Sequence, residues 1–327
     1  MEAPPEKSPA RRRVSVSVLV WLLVAPGVLW FLGRAFGLER GLLIMLFAGT
    51  PYVAAWTVIP LLVAALARRW TAVAVAAVVA AGMAAVVLPR AVADADTGPS
   101  TGVELRVLTV NMLYGAADPD QIVQLVRDND VAVLAVQEFT PQGAAALKAS
   151  GIDQLLPHQE LSPKPEADGS GVYSRHPMLT QSSRRNVGGF QQAFATIQPP
   201  GAVPVHVESV HPQAPAGADK FPQWRTDIQN QTPAGTAGPL PILLGDFNAT
   251  LDHRVMRDLL DTGYRDAAAA VGEGLSTTWP SRNGSDGLVT IDHVLADDRI
   301  GVREVQVWDV NGSDHRAVFA ALTVPTA

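Results

Sequence analysis

Hydrophobic and polar positions divide this chain into two differently patterned halves. In the first, three long uncharged stretches, Val14–Leu32, Gly41–Ala67 and Thr71–Pro89, follow one another with short polar breaks. As helices rising about 1.5 Å per residue they would extend roughly 28, 40 and 28 Å, each close to or beyond the ~30 Å hydrocarbon core of a bilayer. They are predicted as three transmembrane helices. A cleaved signal peptide is the other reading of the first stretch, and a buried core helix that of the third, whose Ala/Val-rich run is only weakly hydrophobic.

Beyond Arg90 the period changes. Glu104–Asn111 (ELRVLTVN) is rich in β-branched residues, Asp120–Asp128 has helical spacing, and Val131–Gln137 (VAVLAVQ) is the continuous apolar run of a fully buried strand. Further strands are predicted at Gly171–Ser174, Ala193–Gln198, Val205–Val210, Pro241–Leu244, Thr290–Leu295, Val302–Val307 and Ala317–Thr323. So many strands with few helices imply two packed β-sheets flanked by helices. The expected organisation is a membrane anchor over residues 1–92, an acidic small-residue linker over 93–103 and a folded domain over 104–327.

Charge adds orientation. Residues 1–92 hold nine basic and three acidic side chains, net +6; of the chain's 25 basic and 31 acidic residues, 16 and 28 remain, so residues 93–327 are net −12. Lys7 and Arg11–Arg13 precede the first stretch and Arg68–Arg69 follow the second, whereas the first loop offers Arg34 and Arg40 beside Glu39. The positive-inside rule then makes the N-terminus cytoplasmic, and three crossings place the second half outside a cell membrane. So acidic a domain disfavours nucleic acid as partner, because phosphate neutralisation supplies most non-specific affinity. The absence of Cys excludes disulfides, zinc–thiolate sites and thiol nucleophiles. Oligomeric state is not legible.

The chemistry lies where apolar strands end: Asn111, Gln137-Glu138, His211, Asp246-Phe247-Asn248, Asp292-His293 and Ser313-Asp314-His315. Each alone has a dull explanation as a turn residue, a solvated strand end or a hydrogen-bonded loop histidine. Together they form a set that rigid strands could bring to one sheet edge. Their order, V-N-M-L-Y-G, V-Q-E-F, S-V-H-P, L-L-G-D-F-N, I-D-H-V and G-S-D-H-R, resembles the motifs of the endonuclease/exonuclease/phosphatase family, as does the S-R-x-P-like segment Gly171–Pro177. The resemblance runs from about Glu104 to Leu322.

That resemblance implies a four-layer α/β sandwich and a metal-dependent phosphoesterase. Glu138, with Asn111 and Asp314, would hold Mg²⁺ or Mn²⁺; Asn111 and Asn248 would bind substrate phosphate. Asp246 would orient or deprotonate the attacking water, and Asp292 would fix the tautomer of His315. His315 and His211 would stabilise the transition state. His293, just after Asp292, should point to the other face of its strand, and His158, His176 and His253 receive no catalytic role. A membrane anchor joined to such an outer domain is similar to membrane-bound relatives associated with resistance to the glycopeptide teicoplanin. That likeness implies a lipid-linked phosphate or pyrophosphate of cell-wall synthesis as substrate and the bilayer as partner. An extracellular nuclease, a sphingomyelinase-like phospholipase and a non-catalytic protein binding antibiotic or cell-wall precursor are the rival readings. The Gly188–Gln192 loop (GGFQQ) has no reading from sequence.

Overall fold

The computed structural model describes residues 9–235, 237–281 and 287–327 and divides into two compact units between Leu88 and Pro89. The first unit holds α1 (Pro9–Ala35), α2 (Leu43–Phe47), α3 (Thr50–Trp56), α4 (Val58–Leu66) and α5 (Trp70–Val87). Val20 and Val24 of α1 pack with Ala64 of α4 and with Ala72 and Ala76 of α5, small residues that let the helices approach closely. Among the described residues two helices are long and apolar enough to cross a membrane, Val14–Ala35 and Trp70–Ala91.

The expected second span is not one helix, a correction to the three predicted. Gly49 leaves helical geometry (ψ 10°), Pro51 starts α3 without an N–H to donate backwards, and the Thr57 hydroxyl bonds Ala54 O at 2.6 Å. Thr50–Leu66 remains as a shorter apolar run. Lys7 and the side chains of Arg11–Arg13, on which the orientation rests, lie outside the described residues.

The second unit runs β1 (Val103–Asn111), α6 (Pro119–Asp128), β2 (Val133–Gln137), α7 (Pro141–Ala149), α8 (Ile152–Leu155), β3 (His158–Ser162), β4 (Ser170–Ser174), β5 (Met178–Arg185), β6 (Gln191–Ile197), β7 (Val205–Val210), α9 (Phe221–Gln229), β8 (Leu240–Asp246), α10 (Arg254–Leu260), β9 (Tyr264–Asp266), α11 (Ala267–Ala270), β10 (Asp292–Asp297), β11 (Gly301–Asp309) and β12 (Arg316–Val324). Its strands form two six-stranded mixed sheets, ordered β11-β12-β1-β2-β4-β3 and β5-β6-β7-β8-β10-β9.

Strand parity builds the layers. Leu105 and Val107 of β1, Val133 and Ala135 of β2, and Val318, Ala320 and Leu322 of β12 meet Val205 and Val207 of β7, Ile242 and Leu244 of β8, and Val294 and Ala296 of β10 between the sheets. The alternate residues Leu108, Val110, Leu134, Val136 and Phe319 instead join Ile122, Val126, Leu147 and Ile152 from the covering helices. Because both faces of the central strands are buried, their sequences read as unbroken apolar runs.

The stretch expected to act as a linker is stitched to this unit. Asp94 N donates to Ala270 O (2.9 Å), Val302 N to Thr97 O (2.8 Å), and Ala93 bridges Val271. The strap Pro89–Gly102 therefore belongs to the folded body.

Candidate active site

Parity also places the chemistry. Asn111 continues the inward-facing series of β1, Gln137 that of β2, Ser209 that of β7, Asp246 that of β8 and Asp292 that of β10. Asp246 and Asp292 stand directly opposite one another in the β8–β10 ladder, and Asn111 opposite Gln137 in the β1–β2 ladder. All are buried polar groups at one end of the two sheets, with Glu138, His211 and His315 one position past a strand terminus. Beneath them the Gln137 amide donates to Ser209 Oγ (2.9 Å), which donates to Val136 O (3.0 Å) and ties sheet to sheet.

Asn111 sits at the centre. Its Nδ2 donates to Glu138 Oε1 (3.2 Å) and Asp246 Oδ2 (3.1 Å), while its Oδ1 accepts from Leu113 N (3.0 Å). The backbone here is strained: Leu113, Tyr114 and Gly115 all have positive φ, and the Tyr114 N–H is thereby aimed at Glu138 Oε2 (2.9 Å). Asn111 thus braces two carboxylates through its Nδ2, while its Oδ1, one lone pair taken by the Leu113 amide, keeps a second for the ligand role expected of it.

The turn after β8 aims the next group. Asn248 takes a left-handed φ of 49°, its N–H bonds Asp246 Oδ1 (2.8 Å), and its Nδ2 reaches Pro212 O (3.1 Å). His315 Nδ1 donates to both oxygens of Asp292 (3.1 and 2.9 Å), which leaves its Nε2 facing Asp246 Oδ2 at 3.7 Å. His211 Nε2 faces the same oxygen, also at 3.7 Å. Asp246 thus lies between two imidazoles.

Electrostatics separate these two histidines. Burial works against charge on His315, but Asp292 and Asp246 outweigh it and push its pKa up to about 10. His211, buried and close to that cation, is lowered to about 3 and stays neutral. Burial raises Glu138 and, more strongly, Asp246, to about 7, with the neighbouring Asp292 adding to the rise and His315 opposing it. Asp314 Oδ1 is buried with no hydrogen-bond partner, an orphaned hard oxygen of the kind that fits a divalent cation.

Two donor sets could take a hard divalent ion. One is Glu138 with Asp314. The other is Asp246, Asp292 and His315, whose ligand atoms lie within 4.8 Å of one another. In the second set His315 Nδ1 is committed to Asp292, so only Nε2 of that imidazole is open to a metal.

Several roles were silent in the sequence. Ser313, named there only as part of the last motif, donates to Asn111 O (2.7 Å) and accepts from His315 N (3.0 Å), locking the last motif onto the first. Thr278 Oγ1 holds Asp292 N (3.1 Å), and Trp279 Nε1 donates to Asp314 Oδ2 (3.1 Å). In the unread GGFQQ loop, Phe190 stacks on His211 with ring centres 4.9 Å apart. Only the tertiary fold brings these partners together; a lone Ser, Thr or Phe gives no local signal.

His293 faces the opposite side of β10, its Nδ1 on Asp266 Oδ2 (2.8 Å) and its Nε2 on Ala249 O (3.0 Å). His253 is buried against Thr250 and Trp224. Neither reaches the cluster.

The sequence profile of the Endonuclease/Exonuclease/phosphatase family matches residues 108–315. No curated protein matches the chain. Among solved structures, an endonuclease/exonuclease/phosphatase family protein from Leptotrichia buccalis is 18% identical, covering 67% of this chain and 99% of its own, with a TM-score of 0.52. A protein of the same description from Beutenbergia cavernae is also 18% identical, covering 68% and 72%, with a TM-score of 0.52. D. rerio TDP2, complexed with a single-strand DNA product, is 13% identical, covering 68% and 99%, with a TM-score of 0.54. With its profile spanning more than half of the sequence and its two packed sheets carrying Asn111, Glu138, His211, Asp246, Asp292 and His315 at one end, the chain belongs to the endonuclease/exonuclease/phosphatase family, whose fold generally hydrolyses phosphoester bonds.

Proposed function

We propose that the protein is a divalent-metal-dependent phosphoesterase that acts outside the cytoplasmic membrane on a lipid-linked phosphate or pyrophosphate. The observation that carries the reaction class is Asp246: a buried carboxylate set between the Nε2 atoms of two histidines, each 3.7 Å away, and beside the Asn111 and Asn248 amides. Glu138 with Asp314 would hold Mg²⁺ or Mn²⁺, both being hard oxygen donors. Such an ion supplies Lewis-acid polarisation of a phosphoryl oxygen. Asp246 takes the proton of the attacking water, since its pKa lies close to the working pH. Asn248 Nδ2 and the imidazolium of His315 meet the negative charge that builds on the phosphoryl oxygens, and His211 contributes as a neutral donor.

Three features support a lipid-borne substrate. The two long apolar helices have only 17% and 28% of their windows buried, unlike core helices of a soluble domain. Tyr114 (58% exposed) and Trp279 (37% exposed) flank the mouth through their bonds to Glu138 and Asp314, offering an apolar rim beside a phosphate site. The net charge of −12 over residues 93–327 opposes a polynucleotide. The combination resembles VanJ, a membrane protein associated with teicoplanin resistance, and a role in glycopeptide resistance is part of the proposal.

The topology proposed with it has the short helices α2 to α4 crossing as one broken apolar segment between the two long helices, which puts the second unit outside. Full-length protein with Mg²⁺ should release phosphate from undecaprenyl pyrophosphate in vesicles faster than from phospholipid or DNA. A reporter active only outside the cytoplasm should work after Ala327. Preferential DNA or sphingomyelin cleavage would replace the substrate reading by one of its rivals, and no hydrolysis of any ester would favour a binding protein.

A further inference from the structure

Arg90 lies just beyond α5, in a stretch the sequence marks only as the end of an apolar run. Its Nη1 donates to Asp252 Oδ2 at 2.8 Å and its Nη2 to Asp252 Oδ1 at 2.6 Å, a two-point fork. The side chains are 10% and 0% exposed. Buried Arg–Asp pairs cost desolvation on both sides and seldom add net stability over an apolar pair, so their use more often lies in fixing one geometry.

The geometry fixed here is that of the loop carrying Asp246 and Asn248. Asp252 closes that loop, six residues after Asp246. Asn248 holds a left-handed conformation that a loop without restraint would relax, so the segment must be gripped on both sides. Upstream it is fixed by β8. In the middle Trp224 Nε1 donates to Asn248 O (3.0 Å) and His293 Nε2 faces Ala249 O (3.0 Å). Downstream, Thr250 N bonds His253 Nδ1 (2.9 Å), Asp252 N bonds Thr250 Oγ1 (3.3 Å), and Arg257 donates to Asp252 O. Arg90 adds, at this downstream end, a grip from a distant part of the chain. It is itself anchored: Gly274 N donates to Arg90 O (2.9 Å), and the strap beyond pairs with Ala270 and Val271.

We propose that Arg90 is a positioning residue: by clamping Asp252 it holds the Asp246–His253 loop in its reactive shape, so phosphoester turnover depends on the strap that follows α5. For its kinetic consequence this rests on the function proposed above.

The test uses full-length protein in detergent with Mg²⁺ and p-nitrophenyl phosphate. Arg90→Lys keeps the charge and loses the fork. The double variant Arg90→Met/Asp252→Leu replaces the pair by apolar side chains and should melt near the parent temperature. Both should lower kcat roughly 10–100-fold through a misplaced loop, with KM changed by less than about threefold. Amide exchange of a peptide covering residues 246–253 should accelerate about tenfold or more, without any substrate present. Parental kcat in the double variant would make the pair structural and nothing more. Parental exchange in both variants would overturn the clamp whatever the activity. Should the parent hydrolyse neither p-nitrophenyl phosphate nor undecaprenyl pyrophosphate, the proposed function is what fails, and the exchange measurement alone decides Arg90.

Discussion

Replacing Asp292 by Asn changes one charge inside the buried Asp292–His315–Asp246 row while leaving its shape almost intact. The carboxylate is the leading attraction that holds a proton on His315 and, through both oxygens, fixes Nδ1 as a donor. Losing an opposite charge at this distance lowers a pKa by roughly 1–3 pH units, bringing His315 from about 10 to between about 7 and 9. At pH 9 the protonated fraction would then fall from about 0.9 to between about 0.5 and 0.01, whereas at pH 6 it would remain near 0.9 or above. The defect in Asp292→Asn should therefore grow with pH, on top of a constant loss from the freed tautomer. Stability has the same sign. A histidine raised on folding contributes fully below its unfolded value of 6.5 and loses that contribution as pH rises through about 10, so the variant should flatten this part of the stability profile. Initial rates on p-nitrophenyl phosphate with Mg²⁺ from pH 6 to 10, with melting curves at the same pH values, measure both. Parallel pH–rate profiles for parent and variant would refute the assignment of His315 as a cation held by Asp292.

Glu138→Gln removes the carboxylate that Tyr114 N and Asn111 brace, and should raise the Mg²⁺ concentration for half-maximal activity by about 10–100-fold, read from a metal titration after chelation. Chelation of the parent should abolish turnover, with recovery on adding Mg²⁺ or Mn²⁺. Asn248→Gly keeps the left-handed backbone without strain yet removes the amide, so kcat should fall about 10²–10³-fold while the melting temperature stays close to the parent's. His293→Ala deletes two buried hydrogen bonds on the outer face of β10 and should cost about 2–4 kcal/mol in denaturant unfolding; an unchanged midpoint would show that Asp266 and Ala249 find other partners.

The sequence by itself determined the set of polar strand ends and most of the central strands. Strands such as β1, β2 and β12 are buried on both faces, so each imprints its own apolar run whatever surrounds it. Polar residues interrupting those runs at their ends stand out for the same reason, which is why Asn111, Glu138, Asp246, Asp292 and His315 were legible. The three strands missed, β3, β5 and β9, all lie at sheet edges, where one neighbour is lacking and residues such as those of Met178–Arg185 stay polar and partly exposed. Tertiary structure alone decided the rest, because it depends on residues far apart in the chain. It turned the Asn111 oxygen away from the carboxylates, split His211 and His315 into a neutral and a charged imidazole through unequal access to Asp292, and broke the second apolar stretch at Gly49 and Thr57. It also joined Arg90 to Asp252 across 162 residues. A local pattern records what a residue needs from its immediate surroundings, and a partner so distant leaves no mark in it.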